Sequence, residues 1–355
     1  MIGASHNAYL ATRVALLATR LLSEPDLTLL GEKAPTEIRP FFVEHGLVPL
    51  FTDDAAVSRH PLEQRIITVL LEDAVILSRA LAGRERDFLI YWTHRFELAN
   101  LKAIIRGKMA NEAAESIRDK LVEMGPFASL PVEELLRTED IVELLSRVER
   151  SQYADIGRQA RQVFEQQHEL FALDTTFDQR YYGGLVRRAA AIETDVGTEF
   201  KSLMAAVIDS LNLVWLLRYR FAYQLAPSQV WYLLIPTHYR LSSATLQALA
   251  QLTRFDEVQP AIPEPFRTWL TGATSPNDVG RILEARTSEL ARKIVRHAPS
   301  ALTRAFAYML LREHDLHNVH VVLKGRSINI APEIIRAGLH SAPAAAGAGA
   351  AGGPA

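Results

Sequence analysis

The sequence predicts an all-α protein, because apolar residues recur at helical spacing while strand patterns and hairpin turns are scarce. Steps of four, three and four separate the apolar residues of one stripe, Leu10, Val14, Leu17 and Leu21. A second helical pattern runs from His60 to Ala82. Alternating polar and apolar runs are nearly absent, and the chain contains no Asn-Gly or Asp-Gly pair.

Composition and charge indicate a globular protein with a large core. The chain has 355 residues, of which 48% are hydrophobic and 23% charged, so it is long enough for two or three domains. The formal net charge of −2 does not favour general binding to nucleic acid. The absence of cysteine excludes disulfides, thiolate nucleophiles and thiolate metal ligands.

Neither a signal peptide nor a membrane-spanning helix is expected from the sequence. Arg13 and Arg20 interrupt the apolar stretch near the first residue, and no cleavage site follows it. The longest uncharged run, from Phe221 to Tyr239, contains Pro227 and Pro236, which disfavour a spanning helix. We therefore expect any association with a membrane to occur through partner proteins.

An internal repeat is the most informative feature of the chain. Three segments share one pattern: ELANLKAIIRGK at 97–108, DSLNLVWLLRYR at 209–220 and DLHNVHVVLKGR at 315–326. Each has an acid, an asparagine three positions later, aliphatic residues, and a base at each of the last and third-last positions. The asparagines lie 112 and 106 residues apart, and a phenylalanine precedes each by twelve positions. Three copies at nearly equal spacing predict three copies of one helical unit.

The repeated residues are interpreted as structural rather than catalytic, since a catalytic set is rarely present three times in one chain. They are Glu97, Asn100, Asp209, Asn212, Asp315 and Asn318. Each asparagine borders the buried stripe of its helix, so we expect it to bond the backbone of a neighbouring helix end. We expect each acid to pair with a base on an adjacent helix. The terminal Arg or Lys suits the negative end of its own helix.

The repeat also predicts where the units begin and end. Helical units are expected at 1–125, 126–258 and 259–340, and a loop is expected from Pro260 to Asn277. A helix is expected to restart after each copy, beginning near Asn111, Ser242 and Pro332. Residues 341–355, SAPAAAGAGAAGGPA, are expected to form a disordered tail because they lack large apolar groups.

The remaining candidate sites do not indicate catalysis, phosphate binding or metal binding. No cofactor, metal or catalytic residue is therefore predicted. Gly107-Lys108 and Gly325-Arg326 lack the upstream glycine of a phosphate-binding loop. Metal binding is unfavoured at the best histidine set, His314, His317 and His320, because steps of three splay these side chains across a helix. Asp53-Asp54 lacks the second acidic cluster of a magnesium-diphosphate site. The runs Arg187-Arg188 and Arg84-Glu85-Arg86 are typical of solvated faces.

The three repeated segments resemble the repeated helix of the C-type connector family of the V-type and A-type rotary ATPases, whose eukaryotic members are of d type. Further similarity lies in YLATRVALLATRLLSEPDLTLL at 9–30, FALDTTFDQRYYGGL at 171–185 and REHDLHNVHVVLKGRSINIAPEIIRAGL at 312–339. In the middle copy, Trp215 and Tyr219 depart from the aliphatic-Gly pattern of the family.

This resemblance implies a funnel of three helical domains, related by a pseudo-threefold axis, around a central cavity. Members of the family sit on the cytoplasmic face of the membrane rotor ring and receive the foot of the central shaft. The implied partners are the shaft subunits of D and F type and the proteolipid ring, and the implied role is coupling without catalysis. The resemblance does not indicate which residues contact the shaft or the ring.

Two alternatives remain open from the residues alone. A helical-repeat adaptor for unrelated protein partners would share the triplication but would present a concave groove instead of a closed funnel. A helical enzyme would need ionisable groups that converge in one pocket, and the sequence pattern does not predict such a set.

Overall fold

A computed structural model describes residues 2–33, 35–50, 61–167, 169–237 and 239–339. The prediction of an all-α fold is confirmed, since 76% of the chain is helical and the described residues form no strand. The α-helices of this part of the chain are α1 (Ile2–Ala18), α2 (Glu24–Glu32), α3 (Pro35–Glu44), α4 (Leu62–Ser78), α5 (Gly83–Met109), α6 (Ala114–Arg118), α7 (Val132–Arg137), α8 (Ile141–Val148), α9 (Ala154–Gln167), α10 (Leu170–Ala190), α11 (Glu193–Val196), α12 (Thr198–Leu217), α13 (Pro227–Leu233), α14 (Ser243–Ala250), α15 (Val258–Ala261), α16 (Phe266–Trp269), α17 (Pro276–His297), α18 (Ala301–Ser327) and α19 (Pro332–Gly338).

Serine and proline residues fix several helix starts. Ser242, Ser275 and Ser300 each accept a hydrogen bond from the backbone N–H three residues later, which satisfies one unpaired donor of the first turn. Pro332 is the first residue of α19, where its missing N–H has no cost. The loop expected from Pro260 to Asn277 is interrupted by the short helix α16, which buries Phe266.

Six helices, α4, α5, α10, α12, α17 and α18, form the centre of the molecule. α4 packs against α5 and α18, α10 against α5 and α12, and α17 against α12 and α18. The order of contacts therefore closes on itself. Three of the six, α5, α12 and α18, contain the repeated segments, and each of the other three fills the space between two of them.

The N-terminal helices are tied to α18 by a buried arginine. The Arg312 side chain is fully buried, and its Nε donates to the Asp73 carboxylate of α4 at 3.2 Å. Its Nη2 donates to the carbonyl oxygens of His45 and Gly46, each at 2.9 Å. A buried charge is tolerated only when it is paired and hydrogen-bonded, and these contacts meet that condition. They fix the segment after α3 against the last long helix.

Among the described residues, one helical segment, Thr198–Ala222, is long and apolar enough to cross a membrane. Buried helices in the cores of water-soluble proteins have the same composition, and 56% of the apolar window is buried against the rest of this chain. This segment overlaps the uncharged run at Phe221–Tyr239 by only two residues, Phe221 and Ala222. Its length and composition are therefore weak evidence for a span.

Candidate functional site: three equivalent helices and their contacts

The phenylalanines that precede the repeat meet in one cluster. Phe88, Phe200 and Phe306 lie near the starts of α5, α12 and α18, and all three are fully buried. Their ring centroids are 5.0, 5.1 and 6.1 Å apart. These distances are those of favourable aromatic pairs, so each ring stabilises the other two. The three long helices thus share one contact point near their N-terminal ends.

Two of the repeated asparagines bond a neighbouring backbone in the same way. Asn100 Oδ1 accepts from the Val122 N–H and its Nδ2 donates to the Val122 carbonyl, both at 2.8 Å. Asn212 makes the same pair of bonds with Ile235, at 2.8 and 3.0 Å. Asn318 occupies the corresponding buried position in α18, and the partner position by these spacings, 340 or 341, lies outside the described residues.

The repeated acids bond backbone N–H groups, which differs from the predicted pairing with a base. Glu97 accepts from the N–H groups of Ser129 and Leu130. Asp209 accepts from the N–H groups of Arg240 and Leu241, at 3.1 and 3.3 Å.

In the third copy, Asp315 accepts from the N–H of Leu22 at 2.8 Å. All of these donors lie two or three residues before a short helix, namely α7, α14 and α2. The backbone that leads into a helix carries unpaired donors and a positive potential, so a carboxylate is favoured there over a distant base.

The last base of each repeat holds the other end of the same short helix. Each of the three side chains donates to two carbonyl oxygens at a helix C-terminus, one in the last turn and one just after it: Lys108 to Leu136 and Thr138 at the end of α7, Arg220 to Ala250 and Leu252 at the end of α14, and Arg326 to Leu30 and Lys33 at the end of α2. Donor–acceptor distances are 2.5–2.9 Å. Carbonyl oxygens at helix ends lack partners within the helix, so a cation satisfies them. Acid and base together hold each short helix at both ends.

Burial raises the pKa of two of the acids. Removal from water raises the pKa of Asp209 to about 6, against the opposing effect of the Leu241 and Arg240 N–H groups. Burial likewise raises the pKa of Asp315 to about 6, and the Leu22 N–H opposes it. In the first copy, burial raises the pKa of Tyr153, whose hydroxyl donates to Glu97.

The turn after each long helix has the same backbone geometry. Asn111, Gln224 and Asn329 have φ values of 54°, 55° and 56°, in the left-handed region, and a short helix begins three residues after each. They lie eleven, twelve and eleven residues after Asn100, Asn212 and Asn318, so the middle copy has one additional residue.

A π-helical segment, Arg218–Ala222, accommodates the additional residue. This segment contains Tyr219, where the other copies have Gly107 and Gly325. A Cβ at either glycine would lie 2.5 or 2.7 Å from the isoleucine of the following helix, Ile117 or Ile335. A side chain at this position in the middle copy therefore requires a different helix end.

The other candidate sites carry no metal-binding geometry in the described part of the chain. No three His, Asp or Glu side chains of these residues are placed to hold a metal ion. His314 Nδ1 lies 3.2 Å from Glu284, and His320 Nε2 lies 3.4 Å from Glu63. Arg188 stacks over the Tyr91 ring, 3.7 Å from its centroid. Asp53-Asp54 and the expected tail at 341–355 lie outside the described residues.

Comparison with known proteins identifies the family. The ATP synthase (C/AC39) subunit family matches residues 10–338, nearly the whole chain. The chain belongs to this family. The C-type subunit of the A-type ATP synthase of Methanosarcina mazei is 21% identical over 345 residues, which cover 94% of this chain and 92% of that protein. Its counterpart in the A-type ATP synthase of Haloferax volcanii is 24% identical over 356 residues, covering 95% and 98%.

Membership of the C/AC39 family accords with the resemblance of the repeated segments, and it makes the chain a component of a rotary ATP synthase or ATPase. The match spans all three repeated segments, including the middle one with its π-helical end. Sequence reasoning missed Arg312, which joins the N-terminal helices to α18. The one feature of the sequence that could have indicated its role is its position, since Arg312 directly follows the apolar segment AFAYMLL at 305–311.

Proposed function

We propose that this chain is the non-catalytic central-stalk connector of a V/A-type rotary ATPase. In this proposal it seats the D- and F-type shaft subunits on the proteolipid ring, at the cytoplasmic face of the membrane. It thereby couples ATP hydrolysis or synthesis to the movement of protons or sodium ions. The family assignment supports membership of such a complex, and the arrangement of the helices supports the axial position within it.

The closed order of contacts among α4, α5, α10, α12, α17 and α18 carries the proposal. A part that transmits torque must resist shear from any direction around its axis. Six helices that each pack between two neighbours have no free edge at which the set could open. We infer that the three long helices are related by a pseudo-threefold axis through the Phe88–Phe200–Phe306 cluster, and that the units form a funnel around it.

The contacts at the short helices support three units of similar construction. In the first two units the acid and base hold α7 and α14, which follow in the same stretch of chain. In the third they hold α2, from the opposite end of the chain. We therefore propose that α1 and α2 complete the third unit instead of belonging to a first unit at 1–125.

Reconstitution of the rotary complex with and without this chain tests the proposal. Without it, ATP hydrolysis by the soluble sector should persist while ATP-driven ion uptake into proteoliposomes is lost, and adding the purified chain back should restore uptake. Coupled uptake in its absence would contradict the connector function. If the purified chain binds neither the shaft nor the ring, the alternative function, a helical adaptor for other partners, is favoured.

A further inference from the structure

A groove on the outer side of α18 remains open beside the contacts described so far. It has a volume of about 1070 Å³ and lies between α1 and α2 on one side and α17 and α18 on the other. We call it the α2–α17 groove. Its floor is formed by the buried side chains of Leu22, Leu27, Val295 and Leu311. Leu29, which is 46% exposed, stands on its rim.

The groove faces away from the contact between the long helices. Asp315 lines the groove, whereas Glu313 pairs with Arg95 of α5 at 2.7 Å. Residues two positions apart on a helix point in directions about 200° apart. The groove therefore lies on the side of α18 turned away from α5, and it is separate from any surface around the phenylalanine cluster.

Opposite charges face each other across the groove without meeting. One rim carries the arginines of α17 and α18, Arg292, Arg296 and Arg304, and the other carries the glutamates of α2, Glu24 and Glu32. Among the residues that the structure describes, none of these five side chains forms an ion pair. Within this part of the chain, the apolar floor thus lies between a basic rim and an acidic rim whose side chains form no ion pair. The charge of Arg292 acts on Asp315 in the groove itself, where burial raises the pKa of that carboxyl and Arg292 opposes the rise.

We propose that the α2–α17 groove binds an amphipathic helix from another subunit of the rotary complex. Its apolar stripe would lie on the floor, its acidic side chains would face the arginines, and its basic side chains would face Glu24 and Glu32. Helix-in-groove recognition uses an apolar stripe for affinity. Complementary charge on the two rims fixes the direction in which the helix lies. The inference depends on family membership and not on the position of the chain between shaft and ring.

The end of this chain is a poor candidate for the groove. Leu339, the last described residue, lines it. Residues 341–355 consist only of serine, alanine, glycine and proline, with no charged side chain for the arginines and no large apolar side chain for the floor. Charge complementarity therefore favours another subunit.

Photo-crosslinking in the assembled complex tests this proposal. We expect Leu29→p-benzoylphenylalanine to crosslink to one segment of another subunit that carries acidic and basic residues at helical spacing. Adding Arg296→Glu to this variant should reduce the crosslinking yield about tenfold, which corresponds to a loss of about 1.4 kcal/mol in binding free energy. The matched control Lys293→Glu, which is also exposed on α17 but lies outside the groove, should leave the yield unchanged. Circular dichroism should show equal helicity for both variants.

Several outcomes would overturn the proposal. They are the absence of a crosslink in the intact complex, a crosslink to lipid or a second copy of this chain, and a crosslink within the chain to 51–60 or 340–355. Equal loss of yield with Lys293→Glu would also overturn it. If coupling is intact in a complex that gives one of these results, the groove proposal fails while the connector proposal stands.

Discussion

At the residue scale, an asparagine side chain supplies the backbone partner that a neighbouring segment lacks. Asn100 and Asn212 each satisfy both polar groups of one residue's backbone, those of Val122 and Ile235. Sequence reasoning could predict this because a buried amide beside an apolar stripe needs partners close by. It could not identify the partners of the acids, since these are backbone groups about 32 residues away or, for Asp315, at the opposite end of the chain.

The amide pair predicts a clear stability defect. Asn212→Leu leaves the N–H and carbonyl of Ile235 buried and unpaired, so the free energy of unfolding should fall by about 1–3 kcal/mol. Urea denaturation followed by circular dichroism measures it. The control, Asn277→Leu on the exposed start of α17, should change the value by less than about 0.5 kcal/mol. Equal midpoints for Asn212→Leu and the wild type would show that the amide pair does not stabilise the fold.

A second residue-scale prediction concerns the pH dependence of stability. Burial raises the pKa of Asp209 to about 6 in the folded protein, against an ordinary value of 3.8. The folded state therefore binds the proton more tightly than the unfolded state. The free energy of unfolding should fall as the pH rises from about 4 to about 6, by up to about 3 kcal/mol for this group.

Comparison of variants isolates the contribution of Asp209 from that of other titrating groups. Asp209→Asn keeps an oxygen acceptor for the Leu241 N–H but cannot ionise, so its stability should depend less steeply on pH than that of the wild type. Asp155→Asn, whose side chain is 85% exposed in the wild type, should keep the wild-type slope. Identical slopes for Asp209→Asn and the wild type would contradict the prediction.

At the element scale, the middle long helix keeps the shared contacts although its end differs. Arg220 still reaches the end of α14, as Lys108 reaches the end of α7. The π-helical segment after α12 absorbs the additional residue before the left-handed residue Gln224. Tyr219 signalled a departure in the sequence, but the insertion was hidden because the twelve-residue motif itself has no gap.

Deletion of the additional residue should lower stability because of Tyr219. Removing Ala222 gives the middle copy the spacing of the other two, and it brings the Tyr219 side chain towards the position where a Cβ at Gly107 or Gly325 would meet the next helix. The unfolding temperature should therefore fall in the wild type, and it should fall by less in a Tyr219→Gly background. Thermal unfolding of the four proteins measures both losses. Equal losses in the two backgrounds would show that the π-helical segment does not accommodate Tyr219.

At the scale of the whole molecule, the ends of the chain meet. Asp315, Arg326 and Arg312, all on α18, bond the backbone near α2 and after α3. The spacing of the repeat predicted three units but placed the first helices with the first unit. Linear spacing cannot show that the first helices pack on the last, because that contact joins positions almost 300 residues apart.

Electron cryo-microscopy of the intact rotary ATPase tests the proposed position of this chain between the shaft and the membrane ring. The map should place this chain between the shaft and the proteolipid ring, with the Phe88–Phe200–Phe306 cluster near the axis of rotation and more than one of the three units touching the shaft. A map that places the chain in a peripheral stalk, or off the axis with no contact to the ring, would contradict the connector function.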